Sequence, residues 1–290
     1  MRLFLLCSIT MMAFAANSLL NRAALADGAI DATLFATIRL ASGAGMLALL
    51  CWGLRGGLTL GGPARLTGVL ALLVYMYGFS LAYNALDAGI GALILFAMVQ
   101  VTMFGFAVLK GETVQTRRWV GAGLALIGLA ALLWPDDTTP ISLGHAMSMA
   151  LAGVAWGAYS LAGKRAEDAL QATAANFVLA VPFGLVFYLL WPASTSSADA
   201  TYTGIALAVT AGAITSGMGY AMWYSVLPRL SASAAAVAQL SVPVLALLSG
   251  AVLLSEMVSL RAAISATVVL AGVALSLAPT RPAKKRGSDP

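Results

Sequence analysis

Apolar runs of about twenty residues, the length that crosses the hydrocarbon of a bilayer as helix, recur along the whole chain. They cover residues 3–21, 32–54, 66–86, 88–109, 119–134, 143–163, 169–191, 202–227, 232–254 and 262–278. Short joints marked by Gly, Pro, Asp, Arg or Lys separate them, among them the Gly- and Pro-bearing 56–65 and 135–142. Because backbone amides in lipid must be satisfied within the segment, each run predicts a helix. The expected fold is an all-α polytopic membrane protein of ten transmembrane helices, with no room in the joints for a soluble catalytic domain.

The pattern repeats. LKGETVQTRRWVGAGLALIG at 109–128 and LLSEMVSLRAAISATVVLAG at 253–272 align at an offset of 144 residues, pairing Glu112 with Glu256, Arg117 with Arg261 and Gly128 with Gly272. The sixth run repeats the first at offset 142, pairing Ser18 with Ser160 and Arg22 with Lys164. A period of this size implies duplication: residues 1–137 form one repeat, 138–280 the other, and 281–290 a disordered basic tail. Arg2 and Ala13-Phe14-Ala15 imitate a secretory leader, but cleavage would remove the first helix of one repeat, so the run is expected to stay. Five spans per repeat is odd, so the second copy enters the membrane upside down. Such inverted repeats suit alternating access to a midplane site, although a duplicated scaffold also fits a channel or receptor.

Composition changes the picture only in degree: 290 residues, 61% hydrophobic and 9% charged, are incompatible with an ordinary soluble domain, which carries about 25% charged residues. Charge sets orientation. With the amino terminus cytoplasmic, thirteen Lys and Arg fall inside and only Arg22 and Arg261 outside, as the positive-inside rule requires. Both termini are then cytoplasmic in a bacterial-type inner membrane. Asp27, Asp31, Asp87, Asp136, Asp137 and Asp199 fall outside. The net charge of +5 reflects this topology and a lipid-facing tail, not a nucleic-acid partner.

Tyr75, Phe79, Ala82 and Tyr83 share one face of the third span, and Ser216, Tyr220, Trp223 and Tyr224 share the matching face of the eighth. They are candidate pathway linings, with Tyr83 near the outer mouth and Tyr224 near the inner one as gates; a lipid-facing aromatic belt is the alternative. Asn17, Ser18, Asn21, Gln100, Thr102, Tyr159, Ser160, Asn176, Gln239 and Ser241 add uncharged polar groups, which must face the bundle interior as substrate contacts or as interhelical bonds. Arg39 is the one charge well inside a span. It lies within reach of snorkelling outward, and both a structural role and binding of a substrate carboxylate are open. No Asp or Glu lies inside a span to carry a proton, so facilitated or weakly coupled movement is expected. Glu112 and Glu256 read as turn residues. Pro182 and Pro243 predict kinks, and Gly43, Gly45, Gly121, Gly123 and Gly128 predict close helix packing.

Lys110-Gly111-Glu112, Leu254-Ser255-Glu256, Arg39 within LFATIRLASGAG and Trp156-Gly157 within AGVAWGAYSLAGKRA resemble the EamA branch of the drug/metabolite transporter superfamily over nearly the whole chain. The resemblance implies a carrier for amino acids and related metabolites, as in YddG-like aromatic amino-acid exporters. Phe14-Ala15 stands where the family has Trp-Gly, and Val99 stands opposite Pro243. With Trp156 added, the candidate substrate-binding set is Asn17, Arg39, Tyr75, Phe79, Tyr83, Gln100, Trp156, Tyr159, Ser160, Tyr220, Trp223, Tyr224 and Gln239. The expected function is export of a small amphipathic metabolite such as an aromatic or apolar amino acid; the alternatives are a multidrug or cationic-compound exporter, a channel, or a polytopic enzyme. Cys7, Cys51 and the single His145 lack metal-ligand spacing, so no cofactor and no metal is expected. The expected partners are a small-molecule substrate and the lipid bilayer, with oligomeric state open.

Overall fold

The computed structural model describes residues 2–26, 28–109, 116–134, 141–163, 166–190, 200–226, 229, 239 and 241–277. Lys110 to Glu112, Lys164, Asp27, Asp136, Asp137, Asp199 and the 281–290 tail lie outside them. Among the described residues the chain is helical throughout: α1 (Arg2–Leu25), α2 (Ala32–Arg55), α3 (Arg65–Ala82), α4 (Ala88–Leu109), α5 (Thr116–Leu133), α6 (Leu143–Gly163), α7 (Ala169–Leu190), α8 (Tyr202–Val226), α9 (Ser241–Leu253) and α10 (Leu260–Leu277). Five helices, Leu3–Leu25, Ala32–Arg55, Arg65–Ala82, Ala169–Leu190 and Tyr202–Val226, are long and apolar enough to cross a membrane; Ala88–Met103, Trp119–Gly128, Ser241–Leu253 and Leu260–Gly272 are shorter apolar helices.

Local chemistry sets several ends. Asp31, extended at φ −66°, accepts from the backbone N–H of Thr33 at 2.8 Å and Leu34 at 3.1 Å, satisfying orphan donors at the start of α2. Gly56, left-handed at φ 73°, closes that helix by donating its N–H to the Trp52 carbonyl. Asp168 caps α7 through Leu170 and Gln171 and pairs with Arg55 at 2.6 Å. Burial works to raise this carboxyl, but the Arg55 bond and the two backbone donors outweigh it and hold it below the ordinary aspartate range. At α5 the Arg261 guanidinium donates to the Ala131 and Trp134 carbonyls, a cation at a helix C-terminus.

Two boundaries differ from the expectation. Helix α3 stops at Ala82 instead of running to residue 86, because Tyr83 turns back and donates its N–H to the Phe79 and Ser80 carbonyls. Helix α1 runs on to Leu25, which brings Arg22 into its last turn. Pro182 does sit inside α7, whereas Pro243 lies in the first turn of the described part of its helix.

Polarity is inverted relative to a soluble domain. Phe4, Leu5, Met12, Trp52, Leu126, Phe183, Leu189 and many other apolar side chains are exposed, while Arg39, Asn17, Asn21, Ser80, Thr215 and Ser216 are buried. An apolar coat of this extent needs a lipid solvent, so this is a multi-pass membrane protein. In the packing, α5 pairs with α10, α3 and α4 with α6, α2 with α7 and with the middle of α8, and α9 with α4 and α1.

The middle of α8, Ala211–Met218, is wound as a π-helix, a form that is rare and concentrates at functional sites. It presses on α2 through glycines. A Cβ on Gly43 would lie 2.6 Å from the Phe177 ring and 3.0 Å from the Gly212 carbonyl oxygen, and one on Gly212 would overlap the Arg39 carbonyl and the Ser42 hydroxyl. The predicted packing glycines therefore divide: Gly43 and Gly128 are contact points, whereas Gly45 and Gly123 face open space because they lie on the other side of their helices. Gly212→Ala is expected to lower the thermal midpoint in detergent, at a cost of about 1–3 kcal/mol or more from overpacking. Gly45→Ala should be neutral or raise it, by up to about 1 kcal/mol of helix propensity.

Candidate functional site

Arg39 projects from α2 into the bundle and is fully buried. Its Nε donates to Ser216 Oγ of α8 at 2.8 Å, and its Nη2 donates to the Tyr220 hydroxyl at 2.8 Å and the Tyr75 hydroxyl at 3.3 Å. The guanidinium carbon lies 5.5 Å from the Tyr75 ring centroid and 5.0 Å from that of Phe79, within cation–π range. Snorkelling is thus corrected: hydroxyls and ring faces inside the bundle meet the group that would otherwise reach for water. Among the described residues no carboxylate bonds to it.

Around it runs a polar network. Tyr220 donates to Tyr75 at 2.8 Å, Asn17 Nδ2 donates to Tyr75 at 3.4 Å, and Thr215 Oγ1 donates to Asn17 Oδ1 at 3.0 Å. Asn21 Nδ2 donates to the Asn17 carbonyl, and Ser80 Oγ donates to Asn21 Oδ1 at 2.8 Å. Helices α1, α2, α3 and α8 are joined through these bonds, each worth more where water cannot compete.

Beside this network lies a small chamber of about 10 Å³, room for about one water. Phe14, Asn17 and Ser18 of α1, Tyr75 and Phe79 of α3, Leu95 and Phe96 of α4, Trp156 of α6 and Tyr220 of α8 line it. The aromatic rings continue past it as a column. Centroids are 4.8 Å apart between Tyr83 and Phe79, 5.3 Å between Phe79 and Tyr75, and 4.8 Å between Tyr75 and Trp156. The column goes on at 5.5 Å from Trp156 to Tyr159 and 5.4 Å from Tyr159 to Tyr224.

Each end of the column is sealed differently. Beside Tyr83, Arg22 pairs with Glu256 at 3.1 Å and Asp87 at 3.2 Å and donates to the Tyr83 carbonyl. Glu256 also accepts the Ala88 N–H at 3.0 Å and 3.1 Å, capping α4 from the other half of the sequence. Burial pushes this carboxyl above the ordinary glutamate value, against the opposing pull of the Ala88 bond and Arg22. At the other end, Tyr224 donates to the Tyr159 carbonyl at 2.9 Å and rests on Gly163, while Arg65 Nη1 donates to Asn176 Oδ1 and the Ala172 carbonyl, each at 2.7 Å.

Of the sequence-derived residues, Asn17, Tyr75, Phe79, Trp156 and Tyr220 line the chamber and Arg39 stands behind its Tyr75–Tyr220 wall. Tyr83 and Tyr224 are buried, which excludes a lipid-facing belt; Tyr159 and Trp223 are buried beside them. Ser160 is buried with no hydrogen-bond partner at its hydroxyl, and so is the side-chain oxygen of Gln239. Gln100 does not join the chamber: it is half-buried farther along α4, past Leu95 and Phe96. Sequence reasoning missed Phe14, whose ring meets Trp156, Tyr220 and Trp223 edge-on at 5.7, 5.8 and 5.9 Å. The 142-residue offset pairs Phe14 with Trp156 and was the available signal. The joining of Arg22 with Glu256 had no local signal, since 234 residues separate them. Cys7 and Cys51 are not disulfide-bonded, and among the described residues no group of three or more His, Cys, Asp or Glu is placed to hold a metal.

An apolar-coated bundle enclosing an aromatic, hydrogen-bonding chamber defines a membrane transporter. The pattern of the EamA-like transporter family matches residues 144–278. An uncharacterised protein of Pseudomonas aeruginosa is 47% identical over 280 residues, 96% of this chain and 95% of its own length. Uncharacterised transporters of Archaeoglobus fulgidus and Bacillus subtilis (YoaV) are 23% and 24% identical, each over 71% of this chain and 74% and 70% of their own. A solved crystal structure that is 18% identical superposes with a TM-score of 0.66 over 95% of this chain and 97% of its own, and shares the fold. The EamA-like pattern in the second half of the chain and the relatives named as transporters make this a membrane transporter and not an enzyme.

The Glu256 cluster yields a pH prediction. A carboxyl raised above its unfolded value contributes stability that is complete below the unfolded pKa and is lost as pH rises through the folded one. The thermal midpoint of wild type relative to Glu256→Gln should therefore fall as pH rises through the range just above the ordinary glutamate value. Parallel melting curves for the two proteins, from about pH 4 to about pH 8, should diverge in that sense.

Proposed function

We propose that the protein is an alternating-access carrier that exports a small amphipathic metabolite, such as an aromatic or apolar amino acid, across the inner membrane. The observation that carries this reading is the small chamber at the centre of the aromatic column, lined from both halves of the chain, with the Arg22–Glu256 pair and the Tyr224–Tyr159 bond at the two ends of the column. A chamber of about one water's volume is an occluded resting form. Substrate enters only when one seal parts.

Two inverted repeats, 1–137 and 138–280, enclose the chamber. Helix contacts support this: exchanging each helix for the one five places along turns the α4–α6 contact into α9–α1 and α3–α7 into α8–α2, while α2–α7, α4–α9 and α5–α10 exchange within themselves. Exchange of this kind supports a two-fold relation between the halves, and the odd number of spans in each supplies the opposite orientation. With both termini cytoplasmic, the Arg22–Asp87–Glu256 cluster is the outer seal and Tyr83 its aromatic backing, while Tyr224, Tyr159 and the Arg65–Asn176 bond close the inner side. Aromatic walls with hydroxyl and amide groups fit YddG-like substrates, and the absence of a carboxylate among the chamber-lining residues fits movement without a protein-borne proton.

Counterflow in proteoliposomes loaded with phenylalanine or leucine tests the proposal. Saturable exchange is expected, and Tyr220→Ala or Trp156→Ala should reduce it by about 10-fold or more, a loss expected of a buried aromatic contact. Flux that rises linearly with concentration, or an ohmic current, would instead identify a channel.

A further inference from the structure

Counting donors and acceptors around Arg39 leaves a surplus of one kind. Arginine keeps its proton in proteins, and Arg39 Nη1 is buried with no hydrogen-bond partner. The Tyr75 and Tyr220 hydroxyls carry two protons between them. One is spent in the bond joining the two oxygens; the other groups bonded to them, Arg39 Nη2 and Asn17 Nδ2, are donors and accept nothing. One phenolic proton at the Tyr75–Tyr220 junction is therefore unspent. The Trp156 Nε1–H beside it is buried and also without a partner. On the acceptor side, Asn17 Oδ1 faces the Thr215 hydroxyl, whose one proton it shares with the Ala211 carbonyl. Ser160 Oγ and Gln239 Oε1, both buried and unpartnered, do not line the chamber.

Resting on the carrier reading above, we infer that the junction of Arg39, Tyr75 and Tyr220 is an anion-receiving subsite and that the transported molecule carries a carboxylate on a small apolar or aromatic body. The unpaired buried cation and the unspent phenolic proton both call for an acceptor, and a carboxylate supplies two oxygens and the missing countercharge. A phosphate dianion fits less well. Arg39 is the one cation in contact with the chamber wall among the described residues, so a second negative charge would stay unneutralised in a low-dielectric site. A cationic compound without an anionic group would bring its charge against an existing one. An ammonium on the same molecule as the carboxylate is tolerated, because the Phe14 and Trp156 ring faces accept it.

The probes are L-phenylalanine and L-leucine against their amides, which keep the body and the ammonium and lose the anionic group. Binding to the purified protein in detergent is read by calorimetry, and movement by counterflow in proteoliposomes. Both acids should bind about 10- to 100-fold more tightly than their amides, the range of a charged hydrogen bond. Tyr75→Phe keeps the ring and removes the phenolic proton, and should cut the acid-over-amide ratio severalfold. Acid and amide binding within about twofold of each other, absence of acid binding, or an unchanged preference in Tyr75→Phe would each overturn the subsite. Saturable counterflow of acid and amide alike keeps the carrier and discards the subsite. Acid-selective binding with no saturable counterflow keeps the subsite and discards the carrier.

Discussion

A guanidinium held inside a lipid-embedded bundle with no carboxylate against it is the constraint from which most of this structure follows. On the milder insertion scales an arginine at mid-membrane costs about 2.5–3.5 kcal/mol, so its donors must be met. Here Nε and Nη2 are met by three hydroxyls from two helices and the guanidinium by two rings, while Nη1 is left without a hydrogen bond. None of these partners is near Arg39 in sequence; Ser216 and Tyr220 are 177 and 181 residues away. The first half supplies the charge and the second half supplies two of its three hydroxyl partners. Neither half can leave the other without stranding it.

The backbone is shaped to the same end. Helix α8 must bring Ser216 and Tyr220 together against one guanidinium while lying close enough to α2 for glycine backbones to touch. A π-wound stretch widens the turn and shifts the side chains relative to an α-helix. Gly212 and Gly43 remove the Cβ atoms that would hold the two helices apart. Thr215, one residue before Ser216, carries the same segment into the Asn17 network. Charge solvation, winding and glycine placement on α8 are one solution to one problem.

How far this was legible from sequence varies with the kind of signal. The aromatic face of the third span and its counterpart on the eighth were readable because helical spacing places residues three and four apart on one face, and burial of Tyr75, Phe79, Tyr220 and Trp223 follows that spacing. Arg39 was readable as an anomaly but not as a contact, since a guanidinium ten ångströms from a helix end can snorkel or turn inward with equal local logic; only distant hydroxyls decide. The π winding left no mark in the periodicity, because eight residues are too few to separate it from an α-helix. Tyr83 was assigned to the helix, and its place in the turn reflects backbone bonds that apolar character does not encode. Gln100 was expected in the interior as a polar residue on an apolar span; it lies mid-helix on α4 yet is only half-buried and outside the chamber lining.

The two seals differ in how they can open. Parting Arg22 from Glu256 and Asp87 exposes ions to water, and hydration offsets much of the attraction lost, so the net cost of that step is small. Parting Tyr224 from Tyr159 exposes two stacked rings that bury apolar surface completely in the closed form, and that exposure is opposed by the hydrophobic effect. Glu256 adds a restraint of its own. While ionised it bonds the first amide of α4 as well as Arg22, so release of the cluster also uncaps a helix that lines the chamber. On the carrier proposed above, motion at the ionic end would reach Leu95 and Phe96 through α4, and motion at the aromatic end would reach Trp156 through the ring column. Both routes would converge on the Tyr75–Tyr220 wall, where the proposed subsite makes occupation by an acceptor the step that relaxes both.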